Sequence, residues 1–152
     1  MTEIFNLLDG PLGEERAECE GFHHFDMTLG PLLGAELLGC SLYTIPPGAR
    51  NWPYHFHRGN EEWAVVVAGT PTLRTPEGEQ ELAAGDIVAF PLDEAGAHDL
   101  SNRSGGDVRV AIFSTLRPST YPVYPDSDKV GANRRYFRIR DAVDYWDGEG
   151  PS

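Results

Sequence analysis

The sequence predicts an all-β protein, a β-sandwich or small barrel. Three observations point there. Short runs rich in β-branched and aromatic residues recur along the chain, Gly/Pro/Asp clusters close each run, and helical periodicity is nearly absent. At 152 residues the chain has the size of one ordinary domain. With 40% hydrophobic and 24% charged residues it suits a packed core better than disorder or a membrane. Gly 17 and Pro 12 make it turn-rich.

The elements follow in order. An apolar stretch from Ala35 ends at Ile45-Pro46-Pro47-Gly48. Strands are expected at Glu62 to Ala68, Thr70 to Thr75, Gln80 to Ala83, Asp86 to Phe90, Ala97 to Ser101, Val108 to Thr115 and Tyr136 to Arg140. Turn chemistry separates them at Gly69-Thr70-Pro71, Pro76-Glu77-Gly78, Ala84-Gly85-Asp86 and Asn102 to Asp107. Thr72 to Leu82 reads as a hairpin turning at Glu77-Gly78. Asp141 to Trp146 predicts one or two helical turns, with Asp141 as N-cap and Gly148 as the stop. Pro118, Pro122 and Pro125 leave Thr115 to Asn133 irregular. That segment and the tail still hold Tyr121, Val123, Tyr124, Tyr136, Phe137, Ile139, Tyr145 and Trp146. So many rings predict that the C-terminal third packs on the barrel or on a partner subunit. Arg135 to Arg140 alternates partially, as an edge strand does. Its arginines, with Arg134, read as a solvated, salt-bridged face.

Composition excludes several partners. The formal charge is −12, and Lys129 is the one lysine among twelve basic residues. Such a chain repels phosphate backbones and anionic lipid, so neither nucleic acid nor a membrane is expected as a partner. Met1 to Asp9 lacks the basic and apolar regions of a signal peptide, and the longest uninterrupted apolar run is Trp63 to Ala68. Cys19 and Cys40 have no metal-type spacing and read as free thiols. A cytoplasmic protein is the expectation.

The chemistry concentrates in His55-Phe56-His57, Glu62 and His98. Residues two apart on a strand share a face, so His55 and His57 present paired imidazoles while Phe56 faces the opposite layer. Beyond Gly59-Asn60, the side chains of Glu62, Ala64, Val66 and Ala68 share a face, and small residues behind a glutamate leave room in the bore. His98 opens another strand, sharing its face with Leu100 and Asn102. Three imidazoles and one carboxylate suit one divalent first-row transition metal, whether Fe, Mn, Ni, Cu or Zn. The bland alternative is three hydrogen-bonded histidines in an empty barrel.

Gly48 to Asn102 resembles the cupin superfamily. Its first motif is met by Gly48, His55-x-His57, Glu62 and Gly69, and its second by Gly85, Pro91, His98 and Asn102. Two departures, one extra residue before His55 and two between Pro91 and His98, fall in turns. The resemblance implies a double-stranded β-helix (jelly-roll) barrel with its core at about 36–115. A short helical or irregular C-terminal extension follows at about 116–152, the whole forming one domain, 1–152. It also implies His55, His57, Glu62 and His98 as metal ligands, with Glu61 as a competitor for the carboxylate position. Flanking stretches, Glu61 to Trp63, Thr72 to Gly78 and Tyr124 to Gly131, are similar to small single-domain cupins without a settled activity.

Fold does not license function. The favoured reading is an enzyme with oxygenase-like chemistry on a small organic molecule. Trp52, Tyr54, Trp63 and Phe90 offer an apolar pocket, with Arg50 beside it, although Trp52, Tyr54 and Trp63 read more readily as rim or core packing than as substrate platforms. A sugar-phosphate isomerase or lyase needs a proton shuttle and a cationic clamp. Candidate shuttles are Tyr54, Glu61, Asp93 and Asp99; candidate clamps are Arg50, Arg58 and Arg74. A noncatalytic binding or sensor protein fits the same residues. Among the remaining motifs, Arg58 is expected to pair near Glu61, Asn102 to hold a loop, and His23-His24 to serve a surface or interface. Sheet edges, Phe5 to Leu8 and the aromatic tail suggest a homodimer.

Overall fold

Alternation along one central strand sets the architecture. In the computed structural model, which describes residues 3–150, the strands in chain order are β1 (Glu14–Cys19), β2 (Phe22–Thr28), β3 (Leu38–Ile45), β4 (Phe56–Arg58), β5 (Glu62–Ala68), β6 (Thr72–Thr75), β7 (Gly78–Glu81), β8 (Ile87–Phe90), β9 (Asp99–Ser101), β10 (Val108–Thr115), β11 (Tyr121–Tyr124), β12 (Lys129–Ala132) and β13 (Arg135–Arg138). Residues 1, 2, 151 and 152 of the expected domain lie outside the described residues. Val108, Val110 and Ile112 of β10 point inward, because strand side chains alternate between faces.

β10 pairs antiparallel with β3 along its whole length and with β5 on its other edge, giving a sheet of order β1-β2-β3-β10-β5-β8. Two smaller sheets, β7-β6-β9 and β13-β12-β11-β4, complete an all-β jelly roll. Ile45, Val66, Leu73, Leu100, Val108 and Val110 are almost wholly buried and form the main core, which floors the bore. A second cluster, Phe56, Ala97 and Val123, fixes β4 against the chain carrying His98.

Asn102 ties the sheets at one end. Its amide Nδ2 donates to the carbonyls of Ile45 and Gly106, both at 2.7 Å, and Oδ1 accepts from the Ser104 amide. This is the loop-holding role expected of it.

Several expectations change. The hairpin turns at Pro76-Glu77, since Thr75 stands opposite Gly78 in the register. Thr115 to Asn133 is not irregular throughout, since it holds two strands: β11 joins β4 on one side and β12 on the other. Pro122 stands opposite His57 in β4 but outside the β12 register, so its missing N–H takes nothing from the β12 ladder. The helix at Asp141 to Trp146 is absent; a 3-10 turn spans Ile139–Asp141 and the tail beyond it is exposed. The tail therefore does not pack on the barrel, whereas β11 and part of β12 do. β1 and β2 lie before the expected core and extend the large sheet. His24, expected at a surface or interface, is buried within the chain at 1% exposure, its ring edge against Trp52. Cys19 and Cys40 are free thiols. Among the described residues no helix is long and apolar enough to cross a membrane.

Candidate metal centre

Three stretches of chain bring four polar side chains to one end of the bore. His55 precedes β4, His57 lies in it, Glu62 opens β5, and His98 precedes β9. The first and last are locked together by their backbones: the His98 amide donates to the His55 carbonyl at 2.8 Å, and the His55 amide donates back at 3.1 Å. Glu62 Oε2 lies 3.4 Å from His57 Nε2 and 3.7 Å from His98 Nε2. One donor atom each from His55, Glu62 and His98 falls within 4.8 Å of the others. Ring centroids of His55 and His57 are 5.0 Å apart.

Backbone carbonyls orient two of the rings. Nδ1 of His55 is 2.9 Å from the Pro53 carbonyl, and Nδ1 of His98 is 2.8 Å from the Gly96 carbonyl. A carbonyl can only accept, so each Nδ1 carries the proton and each Nε2 turns a lone pair toward Glu62. The Nδ1 of His57 is buried without a partner. Gly96 has to be glycine, because a Cβ there would stand 1.8 Å from the Pro91 carbonyl oxygen.

Burial dominates the electrostatics. It pushes the Glu62 carboxyl up to about 7 and lowers His57 to about 4 and His98 to about 3, with neighbouring imidazoles adding to both histidine shifts. The cluster is therefore neutral just below pH 7. Convergent lone pairs beside an acid that ionises only at cost are a donor set suited to a first-row divalent cation. Glu61 takes no part: it is exposed, its amide bonds to Thr115 Oγ1, and its side chain lines an outer groove with Trp63, Leu38 and Phe113.

Above the cluster lies a cavity of about 310 Å³ walled by Tyr43, Trp52, Ile112, Pro122, Tyr124 and Tyr136. Of the residues expected to line it, Trp52 does so. Phe90 lies behind, stacked on His98. Trp63 points out from β5 because its parity is opposite to that of Glu62. Tyr54 packs outside, its ring under the Arg74 guanidinium at 3.8 Å. Arg50 is 4.0 Å from buried Asp99, and Arg74 binds Asp126 through two nitrogens. Arg58 pairs with Asp93 and Glu94 rather than near Glu61. The residues Tyr54, Glu61, Arg50 and Trp63 thus stand apart from the cavity, each for a reason of strand parity or ion pairing.

Tyr43, Tyr124 and Tyr136 are the aromatic wall residues that sequence reasoning missed, along with Ile112 and Pro122. Register explains Tyr124: Pro122 lies opposite His57, so Tyr124, two residues on, shares that face and stacks on His55 at 5.7 Å. Burial and the adjoining Tyr136 phenol raise its hydroxyl well above the ordinary tyrosine value.

Fold and cluster together define a jelly-roll barrel with a candidate His/Glu metal centre in its bore. The cupin domain family matches residues 41–114, the stretch that carries the cluster, and the chain belongs to the cupin superfamily. Among solved structures it is similar to a candidate sugar phosphate isomerase of Acidithiobacillus ferrooxidans (26% identity, 86% of this chain and 87% of that one, TM-score 0.77). A cupin described as a sugar phosphate isomerase from Silicibacter pomeroyi shares the fold (24%, 84% and 83%, TM-score 0.72). So does the polyketide cyclase RemF of Streptomyces resistomycificus (21%, 79% and 84%, TM-score 0.60). No curated protein matches.

Proposed function

We propose that this cupin is a metal-dependent enzyme with oxygenase-like chemistry on a small, planar organic molecule that chelates through oxygen. The observation that supports the reading is the character of the cavity: its walls beyond the cluster are four aromatic rings, Ile112 and Pro122, and among the described residues no arginine or lysine lines it. Its volume suits a compact ligand.

His55, His57, Glu62 and His98 would hold the ion. Bound there, a first-row divalent metal supplies Lewis acidity and, where redox-active, a partner for dioxygen. The chain's own groups do the rest. Tyr43 and Trp52 exclude water from one side of the ligand. The Tyr124 hydroxyl, kept protonated at neutral pH, donates to a substrate oxygen and holds the ring plane against His55. Pro53 and Gly96 keep the Nδ1 of two imidazoles protonated, which leaves each Nε2 free to hold an ion.

A second reading, isomerase or lyase chemistry on a hydroxycarbonyl compound, draws support from the likeness to the Acidithiobacillus protein. The arginines that could clamp a phosphate, Arg50, Arg58 and Arg74, are turned to carboxylates outside the cavity, which weighs against a phosphorylated substrate.

Elemental analysis of native-purified protein and of His57→Ala, followed by oxygen uptake with catechol, enediol and β-diketone probes, tests the proposal. Near-stoichiometric redox-active metal and uptake lost in the variant support it. Zinc with hydroxycarbonyl turnover and no uptake shifts the assignment to the second reading. Failure to load any metal overturns both and leaves a binding protein.

A further inference from the structure

Two residues of β1, Arg16 and Cys19, face the same way although they stand three apart, which a regular strand forbids. Arg16 lies opposite His24 and Cys19 opposite Phe22, so Ala17 and Glu18 together face the single residue His23. This β-bulge turns Arg16 and Cys19 to the face that carries Phe22 and His24. The chain from Arg50 to Pro53 forms a second wall. The Arg50 amide donates to the Gly21 carbonyl at 3.0 Å, and the Arg50 carbonyl accepts from the His23 amide at 3.1 Å. Between the walls is a pocket of about 250 Å³, separate from the metal cavity, whose lining includes Arg16, Cys19, Phe22, His24, Trp52 and Lys129.

The floor of this pocket carries polar groups that the fold leaves unmet. His24 is 99% buried, and neither of its ring nitrogens has a hydrogen-bond partner. The Asn51 backbone faces the ring without closing a bond. Burial lowers the imidazole's pKa, with Asp26 pulling the other way, so at neutral pH the ring has one N–H to give and one lone pair to receive. Two unmet polar atoms are a cost that native structures rarely carry without a ligand or water to answer them. Lys129 brings the charge. Among the described residues it makes no ion pair, and its ammonium rests over the rings of Tyr124 and Tyr136, at 5.3 and 5.7 Å. Arg16, by contrast, is held by Glu14 and Asp26, and Glu18, the one acid on the lining, is exposed. One free cation amid Phe22, Trp52 and Pro53 suits a monoanion with a flat apolar body better than a phosphate, which needs several cations.

We propose that this pocket is a second small-molecule site, which takes a compact planar carboxylate whose ring packs on Phe22 and Trp52 and whose charged end meets His24 and Lys129. The carboxylate accepts from the His24 N–H and from the Lys129 ammonium. The pocket's volume limits the occupant to a compact molecule. Trp52 is a wall common to this pocket and to the metal cavity, with the edge of the His24 ring 4.4 Å from it between centroids. An occupant therefore fixes the indole that closes one side of the candidate metal centre. The site uses neither the metal nor its ligands, so it stands apart from the reaction proposed above.

Calorimetric titration of the full chain with benzoate tests it, with benzyl alcohol as the uncharged comparison. One benzoate is expected to bind per chain with a dissociation constant of about 1 mM or tighter, and benzyl alcohol about tenfold more weakly or less. His24→Phe keeps a ring against Trp52 and removes both nitrogens. It is expected to weaken benzoate about tenfold or more while the melting temperature holds or rises, because the unmet atoms are gone. A histidine kept for the fold alone would give the reverse. Lys129→Met, a change at a half-buried position, is expected to weaken benzoate to a similar degree. His57→Ala, which removes a candidate metal ligand, is expected to bind benzoate as the wild type does, and it does so whether or not the protein loads metal. Absence of binding overturns the proposal and leaves ordered water as the pocket's occupant. So does benzoate binding that survives both His24→Phe and Lys129→Met, or that is lost in His57→Ala, which would place the carboxylate at the metal centre.

Discussion

The ring of Phe90 lies flat on the imidazole of His98, with centroids 3.6 Å apart and planes within 6° of parallel. Phe90 closes β8 and is 3% exposed, so the packing that fills the core also fixes the rotamer of a candidate ligand. Removing that ring takes away both supports. Phe90→Ala is expected to cost about 3–5 kcal/mol in denaturant unfolding, the usual loss for a buried phenylalanine. Metal affinity should fall with it, because His98 is then free to tilt. Phe90→Leu is expected to keep most of the stability, and competition with a chelator would show how much of the affinity depends on a flat ring.

His57 behaves differently, since its Nδ1 is buried with no partner. An unmet polar atom is a standing cost to the metal-free fold. His57→Ala is therefore expected to leave metal-free stability within about 1 kcal/mol of wild type, the lost packing offset by the removed penalty. Metal content should collapse in the same variant. Calorimetry with and without added cation measures the two effects separately.

Acidity should tune loading in a defined direction. Between pH 4 and 7 the metal-free cluster holds a proton on Glu62 and none on His57. Binding a divalent cation then releases one proton, so affinity is expected to fall about tenfold for each pH unit below 7 and to level off above it. Below pH 4, where His57 also protonates, the fall should steepen. Titration calorimetry in two buffers of different ionisation heat counts the protons.

The same shifts govern the metal-free fold. The Glu62 carboxyl is raised from 4.5 to about 7, so the folded state holds its proton more tightly. Stability is therefore lost as pH climbs through that interval, by about 3 kcal/mol. His57 acts in the opposite sense, losing stability as pH falls from 6.5 to about 4. Glu62→Gln should flatten the alkaline side of the stability profile and leave the acid side in place.

Asn102 gives a test independent of the metal. Its side chain is fully buried and satisfies two carbonyls and a backbone amide. Asn102→Ala strands the carbonyls of Ile45 and Gly106 and is expected to cost about 2–4 kcal/mol, at roughly 1–3 kcal/mol per unmet buried group. Urea unfolding would read it directly.

The central strands were legible in the sequence because their alternation is strong. Glu62 to Ala68 and Val108 to Thr115 coincide with β5 and β10 residue for residue. The candidate cluster was legible because His55 and His57 obey the two-residue period of a strand. What escaped notice depended on partners far away in the chain. β11 carries a proline and few β-branched residues, and it is a strand because β4 and β12 flank it. Arginine roles were misjudged for the same reason, since Arg58 finds Asp93 and Glu94 only once the fold is made. Parity along β5 could have excluded Trp63 from the cavity, because Glu62 and Trp63 are neighbours on a strand and must face opposite ways.

The backbone clasp between His55 and His98 also bears on how the protein reaches and leaves its native state. His55 and His57 are neighbours in the chain and can seize a cation before any barrel exists. His98 joins them only after β4 and β9 have been drawn together from distant parts of the polypeptide. A cation bound by all four groups therefore does little for the early steps of folding. It acts late, as a rivet across the three sheets, and should reveal itself chiefly by slowing the rate at which the finished molecule comes apart.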